Sequence, residues 1–225
     1  MVRKKTRVIV TGATGMVGEG VMHECLLNPD IEEVLVINRR PGGFTHPKLK
    51  EIVQGDFFDL APVRDQLQGY QACFFCLGVS SVGMKKEEYF RLTYTLTMHF
   101  AETLSTLNPE MTFCYVSGAG TDSREKGAGW ASVKGKTENA LQKLPFRQVY
   151  NFRPGFIRPT PGLSNAHSFY KYIGWLFPVG RLLYPNGFCT LHELGLAMIR
   201  VAGQGYEKKI IEGRDIIILA KRQQA

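Results

Sequence analysis

The stretch Thr11-Gly12-Ala13-Thr14-Gly15-Met16-Val17-Gly18 follows directly on the apolar run Val8-Ile9-Val10. Glycines at three-residue spacing, set where a strand hands over to a helix, suit the binding of a pyrophosphate. Each glycine has its own task. Gly12 permits the tight turn out of the strand. Gly15 lets the backbone approach a phosphate with no Cβ in the way, and Gly18 lets the helix lie close to the sheet. The helix that starts here aims free N–H groups and the positive end of its dipole at an anion. Thr14, Met16 and Val17 complete the loop. The chemistry to expect is dinucleotide binding.

Later loops extend the candidate site. The second apolar run ends Val36-Ile37-Asn38-Arg39-Arg40. A site that prefers NAD usually carries Asp or Glu here to hold the ribose 2′-hydroxyl. Here the acid is absent and Arg39 and Arg40 follow, and guanidinium forks suit a 2′-phosphate. NADP(H) is therefore the expected cofactor, with NAD(H) as the alternative. A solvated basic turn beside Pro41-Gly42-Gly43 would give the same residues. Asp56, followed by Phe57, could accept from an adenine amino group or cap the next helix. Leu77-Gly78 would let the backbone pass close to the adenosine ribose.

These loops need a frame. Strand and helix signals alternate along the chain, which argues for an α/β fold with a doubly wound parallel sheet covered on both faces. Strand signals fall at Arg7–Thr11, Glu33–Ile37, Leu49–Gln54, Ala72–Leu77, Thr112–Ser117, Gln148–Phe152 and near Asp215–Leu219. Helical signals fall at Gly15–Leu27, Pro62–Leu67, Lys86–Leu107, Ala131–Leu144 and Leu191–Val201. Ligands of such sheets bind beyond the carboxyl ends of the strands, at the switch point. The segment from Arg158 to Asn186 is rich in Pro, Gly and aromatics and breaks the alternation. It reads as a small cap (158–190) within one domain spanning 1–225.

Composition excludes several classes. The chain has 225 residues, 44% hydrophobic and 21% charged, enough for a single sizeable core. No apolar run approaches the ~20 residues of a membrane span, and Arg3, Lys4, Lys5 and Arg7 stand where an apolar leader would begin. Five cysteines include Cys73-Phe-Phe-Cys76. In a strand, residues three apart point to opposite faces, so this pair would share neither a disulfide nor a metal. No metal is expected, and reduced thiols fit a cytoplasmic protein. The net charge is +8, and no Asp or Glu occurs from Asn151 through His192. A positive lobe can attract a phosphorylated cofactor or an anionic substrate. No nucleic-acid module is visible.

With these residues in place, the chain resembles the short-chain dehydrogenase/reductase superfamily. It is most similar to the atypical and extended branches: NAD-dependent epimerase-like, Tat-interacting-protein-like and NmrA-like proteins. The resemblance implies a Rossmann fold over most of the chain. It also implies that Ser117, in Tyr115-Val116-Ser117, is the serine at the end of the fifth strand. Arg153-Pro154-Gly155, with Phe156 after it, would lie beside the nicotinamide.

The family's catalytic signature is Tyr-x-x-x-Lys, a spacing that puts both side chains on one helix face. The matching segment here is Trp130-Ala131-Ser132-Val133-Lys134. Lys134 takes the lysine place, which implies contact with the nicotinamide ribose. Trp130 takes the tyrosine place. An indole donates but does not titrate in the working range, so Trp130 would stack on the nicotinamide or wall off a substrate instead. The remaining proton would then come from water or from a cap residue such as Tyr170, Tyr172, Tyr184 or His167. The function implied is an NADP-dependent oxidoreductase acting on a small molecule, with Ser117 polarising the acceptor. A non-catalytic redox sensor is the rival reading. The helix from Glu87 to Leu107 is apolar on two sides, one through Tyr89, Leu92, Leu96 and Phe100 and the other through Phe90, Thr93, Thr97, Ala101 and Leu104. In relatives this helix often builds a dimer interface; burial within the chain is the alternative.

Overall fold

Seven parallel strands make the main sheet, in the order β3-β2-β1-β4-β5-β6-β9. The computed structural model describes residues 5–127, 129–165, 177–184 and 187–222. The strands are β1 (Thr6–Thr11), β2 (Ile31–Asn38), β3 (Leu49–Val53), β4 (Ala72–Phe75), β5 (Thr112–Val116), β6 (Gln148–Arg153) and β9 (Ile210–Glu212). β7 (Phe156–Arg158) and β8 (Phe188–Thr190) form a separate parallel pair. The sheet is a doubly wound α/β arrangement, as the alternation of signals predicts. The strand order, not the strand direction, reverses between β1 and β4, which are neighbours in space and far apart in sequence. That is the switch point. The register pairs Thr11 with Ile37 on one side and Phe75 on the other. The loops that begin at Gly12, Arg39 and Cys76 therefore emerge side by side.

Alternate residues of each strand serve opposite cores. Val8, Val10, Phe74 and Phe152 pack under α1 (Met16–Leu27), α6 (Leu191–Gln204) and α7 (Gly213–Lys221). Ile9, Phe75, Phe113 and Tyr115 pack against a 3₁₀ turn (Ala61–Leu67), α3 (Leu96–Leu107) and α4 (Trp130–Leu141). α2 (Lys86–Phe90) runs into α3 through a π turn (Arg91–Thr95). This helical run buries Tyr89 and Phe100 on one of its apolar sides and Thr93, Thr97, Ala101 and Leu104 on the other. Both stripes are thus largely consumed within the chain. Asn28-Pro29 ends α1, since the residue before a proline is pushed out of the helical region. α6 opens with a Thr190–Glu193 capping box.

One expected strand is wrong in kind. The run near Asp215–Leu219 is helical, as part of α7, and the last strand is the preceding Ile210–Glu212. Ile216 and Leu219, three apart, are both buried, while Ile218 is 40% exposed. That is a helical stripe, and packing on α6 outweighs the β preference of a branched run. Cys76 lies just past the end of β4, and all five cysteines are free.

The described parts of the 158–190 segment include α5 (Phe177–Leu183), whose Phe177 clusters with Phe188 and with Phe156 of β7, ring centroids 5.6–6.1 Å apart. Glu19, buried in the first turn of α1, ties this segment down by accepting the Ser164 and Asn165 N–H groups at 2.8 and 2.7 Å. His167, Tyr170 and Tyr172 lie outside the described residues. No helix among the described residues is long and apolar enough to cross a membrane.

Candidate functional site

The glycine loop shows why each glycine is needed. Gly12 has φ +71°, and a Cβ there would sit 3.0 Å from the Cys76 and Leu77 backbone. A Cβ on Gly18 would fall 2.1 Å from the Gly12 carbonyl oxygen. Both positions are closed by the protein itself. Gly15 differs. It is the extended N-cap of α1, and a Cβ there would meet only the Gly12 oxygen, at 3.5 Å. Packing does not demand glycine at 15, so the open space in front of the helix N-terminus is what the missing side chain preserves. A pyrophosphate fits that cradle. Thr11 Oγ1 accepts the Leu77 N–H at 3.2 Å and joins the two sides of the switch point.

Two clefts flank the loop. One, of about 650 Å³, is lined by Thr14, Arg39, Arg40, Pro41 and Gly55. Both arginines are exposed. The loop that carries them is pinned from β3, where Glu51 Oε1 accepts from Asn38 Nδ2 at 2.7 Å and from the Gly42 N–H at 2.8 Å. Asp56 accepts the Phe58 N–H at 2.8 Å, the local turn role of an aspartate. The Phe57 ring goes into the core against Phe100, so only its backbone is available to a ligand.

The other cleft, of about 320 Å³, is lined by residues that include Val17, Cys76, Gly78, Ser117, Lys134, Pro154 and Gly155. Ser117, Lys134 and Gly155, well separated in sequence, meet here because β5, α4 and β6 are neighbours. Lys134 Nζ donates to the Ser117 carbonyl at 2.6 Å. Burial lowers Lys134 to about 8, with the charge of Glu138 acting in the opposite direction. The Ser117 hydroxyl is turned the other way. It donates to Glu138 Oε1 at 2.5 Å, with the Phe152 carbonyl 3.1 Å off. Donation to an acceptor in the cleft requires that bond to be exchanged. Arg153 also points inward, donating from Nε and Nη2 to Glu138 at 3.0 and 2.5 Å and from Nη2 to Ser123 at 2.5 Å. Pro154 and Gly155 reach the cleft, whereas Phe156 packs with the cap aromatics. Gly155 also has a steric reason, since a Cβ there would lie 2.4 Å from the Gly187 oxygen.

Trp130 begins α4 and is 38% exposed. Its ring lies beside the Gly118 and Gly120 positions of the loop after β5. Asp122 holds that loop closed by accepting the Arg124, Lys126 and Gly127 N–H groups at 2.7–3.0 Å. Sequence reasoning missed Glu138 and Glu51. Glu138 had a signal, since it follows Lys134 by one helical turn. Glu51 had none, because it reaches the arginine loop only through strand pairing.

A family model described as NAD dependent epimerase/dehydratase family matches residues 8–141, which span the glycine loop, both flanking strands and Lys134. The chain belongs to the NAD dependent epimerase/dehydratase family. Among curated relatives, fmp52, mitochondrial, of Emericella nidulans is 25% identical over 156 residues, 67% of this chain and 66% of that protein. HTATIP2 of Rattus norvegicus is 26% identical over 152 residues, 67% of this chain and 62% of that one. The chain thus spans just under two thirds of each relative's length. Among solved structures, UDP-N-acetylglucosamine 4-epimerase from Methanobrevibacter ruminantium M1 superposes with a TM-score of 0.66 at 17% identity, over 92% of this chain and 76% of that one. WbmF of Bordetella bronchiseptica in complex with NAD+ gives 0.65 at 14%, over 97% and 78%. These likenesses establish the shared fold. Of the three branches the resemblance left open, the NAD-dependent epimerase-like one is matched by the family model, and HTATIP2 stands among the curated relatives.

Proposed function

We propose that this family member is an NADP-dependent oxidoreductase of the atypical short-chain dehydrogenase type, acting on a small molecule. The observation that carries the reading is Gly15: an open position at a helix N-terminus that packing leaves free for a ligand. Thr14 and the Gly15–Gly18 backbone would hold the pyrophosphate. Arg39 and Arg40 would take a 2′-phosphate in the larger cleft, and Gly78, Lys134, Pro154 and Gly155 would surround the nicotinamide in the smaller one. A bound nicotinamide supplies or accepts a hydride. Lys134 would orient its ribose. Ser117, after exchanging its bond to Glu138, would polarise the acceptor. Trp130 would wall the substrate side.

A sensor without catalysis is the second reading, and Trp130 in the tyrosine place favours it. The test is a fluorescence titration of cofactor-stripped protein with NADPH, NADP⁺ and NADH. Saturable binding at micromolar or tighter affinity with the phosphate form preferred is expected. No saturable binding of any form would remove both readings.

A further inference from the structure

We propose that Lys134 is itself the proton donor of this site: its ammonium protonates the oxygen of a carbonyl substrate as hydride arrives at the carbonyl carbon. The proposal rests on the oxidoreductase reading above and names the group that replaces the family's tyrosine.

Geometry does the selecting. Among the described residues that line the cleft, the side chains able to give up a proton are Cys76, Ser117 and Lys134. Burial pushes the Cys76 thiol well up, so it holds its proton. The Ser117 proton is held by Glu138 at 2.5 Å. Glu138, whose side chain is 1% exposed, is in turn committed to Arg153. Its carboxylate makes its hydrogen bonds to those two partners, one of them a guanidinium, and acts on the lysine one turn away only through its charge, which burial outweighs.

The other groups around the lysine do not neutralise it either. On β5, the centre of the Tyr115 ring is 5.9 Å from Nζ, and burial raises its phenol so that it stays uncharged. On β6, Arg153 carries the same charge as the lysine. Among the described residues, the hydrogen bond Nζ makes is to a neutral acceptor, the Ser117 carbonyl. An ammonium carries three N–H groups. One is used on the Ser117 carbonyl, and in the proposal the others would serve a ribose and a substrate in the cleft that Lys134 lines. A buried ammonium with a neutral partner gives up a proton more readily than one facing a carboxylate. Burial accordingly brings Lys134 to about 8, near the range where a general acid works best.

The step balances. The hydride, with its two electrons, forms the new C–H bond. The carbonyl π pair takes the proton from Nζ. The products are an alcohol, the oxidised cofactor and a neutral amine, which regains its proton from water.

The experiment compares wild type with Lys134→Arg, which keeps the charge but does not release a proton in this range. NADPH affinity is measured first, then the reduction of 4-nitrobenzaldehyde at saturating NADPH from pH 6 to 10. In wild type, kcat should fall with rising pH above about 8. In Lys134→Arg, kcat should be on the order of 10²-fold lower and flat across that range, while the NADPH Kd changes by less than about tenfold. Independently of turnover, competitive labelling of the cofactor-free wild type with dinitrofluorobenzene should show Lys134 half-reactive near pH 8. A Lys134 that labels only above about pH 10, like an ordinary surface lysine, overturns the proposal. So does a variant whose loss lies in Kd and not in kcat, or a wild type that binds NADPH but does not reduce the aldehyde. In each of those outcomes cofactor binding survives as a finding. Absence of NADPH binding to wild type would instead remove the oxidoreductase reading, and this proposal with it.

Discussion

Gly15→Ala and Gly18→Ala change the same loop by one methyl group each, and the structure assigns them opposite consequences. At Gly18 the new Cβ would stand 2.1 Å from the Gly12 oxygen, 2.4 Å from the Gly12 carbonyl carbon and 2.8 Å from the Ala13 nitrogen. All three are backbone atoms of the strand-to-helix turn, so relief requires α1 to move off the loop by more than an ångström. Overpacking of that kind costs about 1–3 kcal/mol, or roughly 2–12 °C in Tm for a chain of this size. At Gly15 the backbone is extended (φ −112°, ψ 162°), which alanine adopts without strain, and the nearest atom is 3.5 Å away. Alanine is a poorer N-cap than glycine by up to about 1 kcal/mol. Reduced freedom of the unfolded chain returns about 0.4–1 kcal/mol. The net change in Tm should be within about 3 °C. Ligand binding should be ordered the other way. The Gly15→Ala methyl occupies the phosphate cradle, and a roughly tenfold or greater loss of NADPH affinity, about 1.4 kcal/mol, is expected with little change in melting. Calorimetric melting and a fluorescence titration on both variants decide it. A Gly15→Ala protein that binds NADPH like wild type, or that melts as low as Gly18→Ala, would refute the division between ligand glycine and packing glycine.

Four further outcomes are expected. Replacing Arg39 and Arg40 by Ala should weaken NADPH by roughly 10–100-fold, the worth of a charge-assisted contact or two, and NADH far less; equal losses in titrations of the two forms would remove the 2′-phosphate assignment. Arg153→Met leaves Glu138 buried without its guanidinium and should cost about 3–5 kcal/mol in urea unfolding, with Arg153→Met/Glu138→Leu recovering most of it. Glu33 gives a pH signature: burial pushes it up, but donation from Lys50, Tyr70 and Arg7 outweighs that and lowers it to about 2. A depressed carboxylate stabilises the fold fully above its unfolded value of 4.5 and loses that contribution as pH falls through about 2. The Tm gap between wild type and Glu33→Gln should therefore be widest near neutral pH and close in strong acid, as melting curves across pH will show. Sedimentation velocity at micromolar concentration tests self-association; with Tyr89, Leu96, Phe100, Ala101 and Leu104 buried inside the chain and Phe90, Leu92 and Met98 only half-buried along the Lys86–Leu107 run, a monomer is expected, and a dimer would assign that half-buried edge to a second copy.

Local pattern was enough wherever one element explains itself. The glycine spacing after Val8–Val10 placed the loop, the alternation of runs implied the parallel sheet, and Asn28-Pro29 marked the end of α1. These signals survive because steric and periodic constraints act within a few residues. The helix at Gly213–Lys221 did not show, because Ile216-Ile217-Ile218 carries a strand preference that only contact with α6 overrides.

The candidate site divides along the same line. Its inventory of Gly15, Arg39, Arg40, Ser117, Lys134 and Pro154 was legible, since each stands at the end of a recognisable strand or at the helix spacing of a known signature. Side-chain direction was not legible. Nothing in the order of residues says that Ser117 turns its proton to Glu138, that Arg153 faces inward, or that Glu51 holds the arginine loop from a neighbouring strand. Those choices depend on which buried charge lies nearest once β5, β6 and α4 are packed, because an unpaired buried charge is too costly to leave alone. The sequence by itself determined where a dinucleotide loop and its lysine would stand. Tertiary packing alone decided that this lysine would line the cleft on the Ser117 carbonyl while Glu138, one turn on, bonds Ser117 and Arg153.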